Sequence, residues 1–283
     1  MHDLSPLVSI ITPSLNQGEF LADAIESVLA QDYPAIEYLV LDGGSTDATL
    51  AILRGYGERV RWLSEPDGGQ ADAINKGFGL ARGPIVAWLN ADDRYLPGAV
   101  ARAVAELQAH PEAALVYGQA DFIDRAGRVT GPCAQVEPFS LDRLINQLDF
   151  VVQPATFFRA EAFAQVGRID PGLRYCFDYD LWIRLAQRYP VRYLPARLAQ
   201  VRVYAETKTA SGGLARLDEI ERMIARHGRP RLPMLFYGEI VRACWHAGWR
   251  ALRAGRVRQG VRTLGRGLGY FAGYLVRKAR YGR

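Results

Sequence analysis

Two adjacent carboxylates, Asp92 and Asp93, close the apolar run Ile85-Val86-Ala87-Trp88-Leu89, with only Asn90 and Ala91 between. Neighbouring carboxylates repel, so holding both in place costs free energy unless a cation or a donor network faces them. Mg2+ and Mn2+ prefer oxygen ligands of this kind and can bridge from a carboxylate to a diphosphate. Asp42, after the apolar run Ile36 to Leu41, can accept a hydrogen bond from the N–H of a nucleobase. The chain has no G-x-x-x-x-G-K-[ST] and no G-x-G-x-x-G, so a bound nucleotide would not be held by a glycine cradle.

An isolated Asp-Asp pair is more often a loop-capping turn, so the elements that carry the acids decide. The run before Asp92 is too apolar to alternate, which predicts a strand buried on both faces, as in a parallel sheet. Val8-Ser9-Ile10-Ile11 predicts another, stopped at Thr12-Pro13-Ser14 because proline cannot donate to a ladder. Asn16 can cap a helix running to about Gln31, with Leu21, Ile25, Val28 and Leu29 on its apolar face. Strands over Ile36 to Leu41 and Val60 to Leu63, and helices through Leu50–Leu53 and Ala71–Ala81, complete a β-α-β-α-β-α-β order. Right-handed crossovers then give a parallel sheet, with Thr12, Asp42, Asp67, Asp92 and Asp93 all at carboxyl ends of strands. Further on, the pattern predicts a helix over 99–109 and a strand over Val116–Ile123 with a hairpin-like turn at Asp124–Gly127. It also predicts a helix over 138–149, an extended segment over Val151–Phe158 and a strand over Tyr193–Tyr204. Thr207 to Gly213 reads as a mobile loop or lid.

At 49% hydrophobic and 23% charged, the 283 residues have the composition of a globular protein. Cys133, Cys176 and Cys244 are odd in number and far apart, which argues against a disulfide framework or zinc site. No leader peptide is expected from Met1-His2-Asp3-Leu4-Ser5-Pro6, and no run is long enough to span a bilayer. The net charge of +5 is unevenly spread: residues 226–283 hold 14 Lys+Arg against one acid, and the remainder 21 against 29. A tail of +13 on a body of −8 points to an anionic surface as the tail's partner.

Val8 to Asn16, Leu41 to Asp47, Gly68 to Gly77, Asn90-Ala91-Asp92-Asp93, and Phe177-Asp178-Tyr179-Asp180-Leu181-Trp182 are five segments that, in this order, resemble the family 2 inverting glycosyltransferases of GT-A fold. The likeness covers about residues 6–210. It implies an α/β fold: a Rossmann-like nucleotide-binding half with a mixed, mostly parallel sheet, plus a C-terminal helical extension. The implied domains are 1–213, with a donor half over about 6–93 and an acceptor half over about 94–213, and a basic extension over 214–283. The resemblance puts the donor at Thr12, Pro13, Ser14, Asn16, Asp42, Gly69, Gln70, Asp72, Asn75, Asn90, Ala91 and Asp92. Asp72 and Asn75 could equally cap or pack the helix they lie on. Mn2+ or Mg2+ would sit on Asp92, with Asp93. Asp178 takes the place of the catalytic base, with Asp180 as the fallback; a helix N-cap is the other reading of Asp178. Gln153 and Trp182 fall on the acceptor side, though Trp182 also reads as a core anchor.

Two departures bear on the metal. Asn90 stands where the family has the first carboxylate of its D-x-D, and it brings a hydrogen bond but no charge. Tyr204 stands where several members have a metal-contacting histidine, so Arg202 or Lys208 would help neutralise the diphosphate. The implied reaction moves a sugar from a nucleotide-diphosphate donor, a UDP-sugar, to a hydroxyl of a lipid-linked or cell-surface glycan. A non-catalytic nucleotide-sugar-binding or scaffold relative is the alternative.

In the tail, Arg258, Arg262, Arg266 and Arg277 fall on one helical face and Leu264, Leu268, Phe271 and Leu275 on the opposite one. Trp245 and Trp249 precede them. This reads as a basic amphipathic helix in an anionic membrane interface, with a cytoplasmic location at the inner face of the membrane. A helix packed on the catalytic domain or docked on a partner is the competing reading. Nucleic acid is not an expected partner; such binding would be steeply salt-dependent. Gly260, Gly265, Gly267, Gly269 and Gly273 lower helix propensity here.

Overall fold

Apolar runs too continuous to alternate form the middle of the sheet. The computed structural model describes residues 5–133, 136–228 and 233–281, with 277–281 described by their backbone only. Strand β1 (Val8–Ser14) is buried at every position. It lies between β2 (Ile36–Asp42) and β4 (Ile85–Trp88), parallel to both. β3 (Arg61–Ser64) pairs parallel to β2 at the edge, where its side chains alternate outward. The helices α1 (Leu21–Leu29), α2 (Thr49–Tyr56) and α3 (Gln70–Leu80) make the crossovers. On α1, Leu21, Ala24, Ile25 and Val28 are buried, at i, i+3, i+4 and i+7.

After β4 the chain adds β5 (Arg94–Tyr95), α4 (Ala99–Ala109), β6 (Leu115–Ile123), β7 (Val129–Pro132), α5 (Leu141–Asn146), β8 (Thr156–Arg159), α6 (Ala160–Val166), α7 (Phe177–Ala186) and β9 (Val191–Arg202). The sheet runs β3-β2-β1-β4-β8-β6-β9-β5, with β7 beside β6. β8 is antiparallel to both β4 and β6, while β6 and β9 are parallel. The sheet is therefore mixed, with its parallel half nearest the N-terminus. Phe78, Trp88, Phe158, Phe163 and Trp182 form a packed aromatic cluster, in which Trp88 stacks on Trp182 at 5.3 Å and 15°.

The chain divides into two compact units, Met1–Phe139 with Phe150–Tyr204, and Ser140–Asp149 with Ala205–Arg283. The second holds α5, α8 (Lys208–Ser211), α9 (Gly213–Arg226), α10 (Phe236–Arg253) and α11 (Val257–Tyr281). In it α10 and α11 form a hairpin with a glycine-lined seam. A Cβ on Gly248 or Gly260 would fall 2.6 or 2.5 Å from Leu264 or Leu252, and one on Gly267 would fall 2.9 Å from Cys244. These glycines lower helix propensity, but they let the two backbones approach. No helix among the described residues is long and apolar enough to cross a membrane.

Several local expectations are corrected. α1 starts at Leu21, not at an Asn16 cap, because Asn16 takes a left-handed conformation with φ 53°. The expected helix over 138–149 spans only Leu141–Asn146, capped by Ser140. The extended segment over 151–158 is broken by a 3-10 turn at Gln153–Ala155. Thr207 to Gly213 is not a loop: Thr207 caps α8, accepting from the Ala210 N–H. Arg266 leaves the exposed basic face and pairs with Asp218 on α9. Arg229, Arg231 and Arg283, and the side chains of Arg277, Lys278 and Arg280, lie outside the described residues.

Candidate functional site

Sheet register lines up the strand ends. Ser14 is opposite Asp42, and Asp42 is opposite Ser64. The Leu89 N–H donates to the Ile11 carbonyl at 2.9 Å, so β4 leaves the sheet beside β1's last residues. Asn90, Asp92 and Asp93 therefore emerge next to Thr12–Ser14 on one rim, as the strand order requires.

The loops around Asp42 are locked by its carboxylate. Asp42 is 2% exposed and accepts from the N–H groups of Gly44 (3.2 Å) and Ser45 (3.0 Å) and the hydroxyl of Ser64 (2.6 Å). The Ser45 hydroxyl bonds its other oxygen. Asn16 joins the first loop to the second: its Oδ1 accepts from the Thr46 N–H at 2.9 Å, and its own N–H donates to Ser45 Oγ at 2.7 Å. Thr12 is fully buried and pairs with the Tyr38 hydroxyl at 3.0 Å, so it belongs to the interior and not to a ligand. Pro13 is buried in the strand. Ser14 is 5% exposed, and its buried Oγ has no hydrogen-bond partner among the described residues.

Gly68 and Gly69 lead into α3. Gly69 has φ +106°, which favours glycine, and its N–H donates to Asp67 at 2.7 Å. Asp72 accepts from the Gly68 N–H at 3.0 Å, which makes it a loop cap. Asn75 is a latch: its side chain donates to the Ile169 carbonyl (2.8 Å) and accepts from the Ile169 N–H (3.0 Å). It therefore belongs to the scaffold rather than the donor face.

Asn90 turns inward and joins three elements. Its Nδ2 donates to Asp93 Oδ2 (3.0 Å) and Gln153 Oε1 (2.9 Å), and its Oδ1 accepts from Gln70 Nε2 (2.7 Å). Gln153 in turn donates to the Trp88 carbonyl at 2.7 Å. Gln153 is thus a buried brace for β4, and not an acceptor wall. Ala91 is 2% exposed. Asp93 is 4% exposed, and its other oxygen accepts from the Arg202 N–H at 2.9 Å. Burial, followed by the charge of Asp92, pushes its carboxyl well above the usual range, against the pull of the Arg202 and Asn90 donors. Both Asp93 oxygens face internal donors, so a metal ligand set narrows to Asp92.

Asp92 is the partly exposed acid of the pair. Its Oδ2 accepts from the Tyr204 hydroxyl at 3.0 Å. Burial, then the neighbouring Asp92 charge, pushes the Tyr204 phenol far above its ordinary range, so it stays a donor. Arg202, expected at the diphosphate, is 3% exposed and holds the scaffold. Its guanidinium donates to the carbonyls of Asp92 (2.9 Å) and Arg125 (2.8 Å), pairs with Asp23 (2.9 Å) and lies 4.7 Å over the Phe20 ring. Asp23 and Phe20 lie some 180 residues before Arg202 and carry no sequence signal of the contact. Lys208 opens α8 in the second unit.

The first turn of α7 carries Asp178, partly exposed, and Asp180, buried. Asp180 pairs with Arg184 at 2.7 Å, and Arg184 also donates to the carbonyls of Val166, Gly167 and Arg168. Asp180 is a structural anchor. Asp178 Oδ1 accepts from the Tyr179 N–H at 2.8 Å. Trp182 is fully buried on Trp88, which makes it core and not acceptor wall. Phe177 also lies 6.3 Å from Trp88, so α7 begins against the strand that leads to Asp92.

No group of three or more His, Cys, Asp and Glu that could hold a metal occurs among the described residues. Asp92 alone is a partial ligand set. It suits Mg2+ where one carboxylate is completed by substrate phosphates, since that ion is commonly bound so.

The family model of glycosyl transferase family 2 matches residues 9–167. An uncharacterized glycosyltransferase of Rickettsia prowazekii (strain Madrid E) is 30% identical over 223 residues, 77% of this chain and 70% of the relative. Among solved structures, S. aureus TarS 1-349 in complex with UDP-GlcNAc is similar with TM-score 0.63 at 17% identity, over 77% of this chain and 65% of that one. Mannosyltransferase PcManGT from Pyrobaculum calidifontis, in complex with GDP-Man and Mn2+, has TM-score 0.63 at 18% identity, over 99% and 89%. The sheet is that of the GT-A fold. The chain belongs to glycosyl transferase family 2, whose members act on nucleotide-sugars.

Proposed function

We propose that this chain is an inverting glycosyltransferase that uses a UDP-sugar donor and a hydroxyl of a lipid-linked or cell-surface glycan as acceptor. The observation that carries the reading is Asp92: a partly exposed carboxylate at the end of β4, oriented by Tyr204 and flanked by Arg202. In this reading residues 6–93 form the donor half and 94–213 the acceptor half, with 214–283 as the extension. Pro13, Ser14 and Asn16 line the nucleoside side, and Ser14 Oγ, without a hydrogen-bond partner among the described residues, is the group that meets it. Gly69, Gln70 and Asp72 border the diphosphate. A bound Mg2+ or Mn2+ on Asp92 would offset charge on the departing phosphate.

Asp178 is the base in this proposal. A protonated alcohol is a poor nucleophile, and a carboxylate at the first turn of α7 can take its proton as it attacks the anomeric carbon. Attack from the face opposite the nucleotide inverts that carbon. The cytoplasmic, membrane-peripheral location and the anionic membrane contact of residues 226–283 are part of the same proposal.

Purified protein with Mg2+ or Mn2+ is expected to hydrolyse or transfer from a member of a nucleotide-sugar panel. Asp92→Ala abolishes turnover, and Asp178→Asn lowers kcat with donor affinity and melting temperature unchanged. Absence of a thermal shift with every common nucleoside diphosphate overturns the reading. Donor binding without turnover, indifferent to Asp178→Asn, favours the non-catalytic relative.

A further inference from the structure

Helices normally bury their apolar side chains, yet the α10–α11 hairpin leaves a row of them in the open. Trp245, Trp249, Leu268, Phe271 and Leu275 are 43–65% exposed. On α11, Leu264, Leu268, Phe271 and Leu275 recur at i, i+4, i+7 and i+11, which is one face. On α10, Trp245, Trp249 and Leu252 do the same. Leu264 packs against Gly248 and Leu252 against Gly260, so both rows flank the seam.

The opposite side is covered by α9. Arg216 lies 5.4 Å over the Phe236 ring, Arg266 pairs with Asp218, and Tyr270 bonds Glu221. At 3.6 residues per turn, Phe236 is about half a turn from Trp245, and Arg266 and Tyr270 about half a turn from Leu268 and Leu275. The apolar rows therefore share the side that α9 leaves open.

Charge decides what fits this face. Arg242 and Arg253 border the row on α10; both are exposed and form no ion pair among the described residues. The one acid in 226–283, Glu239, pairs with Arg216. A second copy docking by the same face would bring these arginines against their own kind. A nucleic acid would use the arginines but not the apolar row. An anionic bilayer uses both, since apolar side chains enter the headgroup–acyl boundary and arginine heads stay at the phosphates.

We propose that the α10–α11 hairpin lies flat on an anionic bilayer, with Trp245, Trp249, Leu268, Phe271 and Leu275 inserted and Arg242 and Arg253 on lipid phosphates. This deepens the reading of residues 226–283 as a membrane-contacting segment and is independent of the donor chemistry. The full chain is tested by flotation with phosphatidylcholine vesicles, with and without phosphatidylglycerol. It is expected to float with the anionic vesicles alone, and Arg242→Glu with Arg253→Glu weakens that by about 30-fold or more. Leu268→Glu with Phe271→Glu removes it at every salt concentration. Donor hydrolysis in lipid-free buffer, which reports on the proposed activity alone, is unchanged in both variants.

Should a variant misfold by circular dichroism, quenching of wild-type tryptophan emission by brominated lipid, abolished in Trp245→Phe/Trp249→Phe, supports the proposal. No quenching overturns it. Failure of the wild type to float, equal flotation with neutral vesicles, or undiminished flotation of Leu268→Glu/Phe271→Glu also overturns it. So does a dimer in sedimentation that the same double variant makes monomeric.

Discussion

Asn90→Asp would restore the acidic residue that the relatives' D-x-D pattern has, so pattern alone makes it a gain for metal binding. The structure makes it a loss of stability. Asn90 Nδ2 donates to Asp93 at 3.0 Å and to Gln153 at 2.9 Å, and a carboxylate there can donate to neither. Gln153 cannot turn its amide to compensate without giving up the Trp88 carbonyl at 2.7 Å. The two lost bonds cost about 1 kcal/mol each, and leaving buried partners unsatisfied raises the sum to about 2–3 kcal/mol. Like charge against buried Asp93 adds about 1 kcal/mol more before the pair takes up a shared proton. The expected deficit is therefore about 3–4 kcal/mol at pH 8. It shrinks on acidification, because a proton between the two carboxyls rebuilds one hydrogen bond. The sign follows from the raised carboxyl: the folded state binds that proton more tightly than the unfolded chain, so stability falls as pH rises above the ordinary 3.8. Urea unfolding of wild type, Asn90→Asp and Asn90→Ala at pH 5 and pH 8 reads this directly. An Asn90→Asp protein within about 0.5 kcal/mol of wild type at pH 8, with unchanged m, refutes the bracing role.

Arg202→Met leaves the Asp92 and Arg125 carbonyls without their donor and is expected to cost about 2–3 kcal/mol in urea unfolding; a raised donor KM at full stability would instead place Arg202 on the diphosphate. Glu37 is pushed up by burial, but Ser9 and Arg82 donors more than reverse this and hold it below its ordinary 4.5. Glu37→Gln should therefore lose about 1–2 kcal/mol above that pH, the gap closing as the wild-type carboxyl protonates on acidification; a deficit that persists at acid pH contradicts this. A Cβ on Gly77 would fall 2.5 Å from Ile11, so Gly77→Ala should lower stability by about 1–3 kcal/mol in thermal melts. Gly79→Ala, with nothing within 4 Å, should be neutral or stabilising, and equal effects of the two would exclude packing as the cause.

The parallel half of the sheet was legible because its signal is local. Runs such as Ile85–Trp88 are apolar on both faces, Gly43-Gly44 follows the end of β2, and Gly68-Gly69 marks the entry to α3. Placing Asp42, Asp92 and Asp93 on one rim needed only strand order and the handedness of crossovers. What the sequence could not decide was which way each polar side chain faces. Asp92 and Asp93 are neighbours of one type, yet one is partly exposed and the other is enclosed by Asn90 and Arg202. Asp178 and Asp180 divide likewise, because Arg184 takes the second. Thr12, Asn75, Gln153, Trp182 and Arg202 all carry plausible site chemistry, but partners far along the chain turn them into scaffold. The glycines of α11 read as helix breakers until α10 is set against them. Residue type and spacing thus determined the strands, the rim and the charged tail, since those follow from periodicity and composition. The tertiary structure alone decided exposure, pairing and the open face of the tail, because each depends on contacts between residues that sequence does not place together.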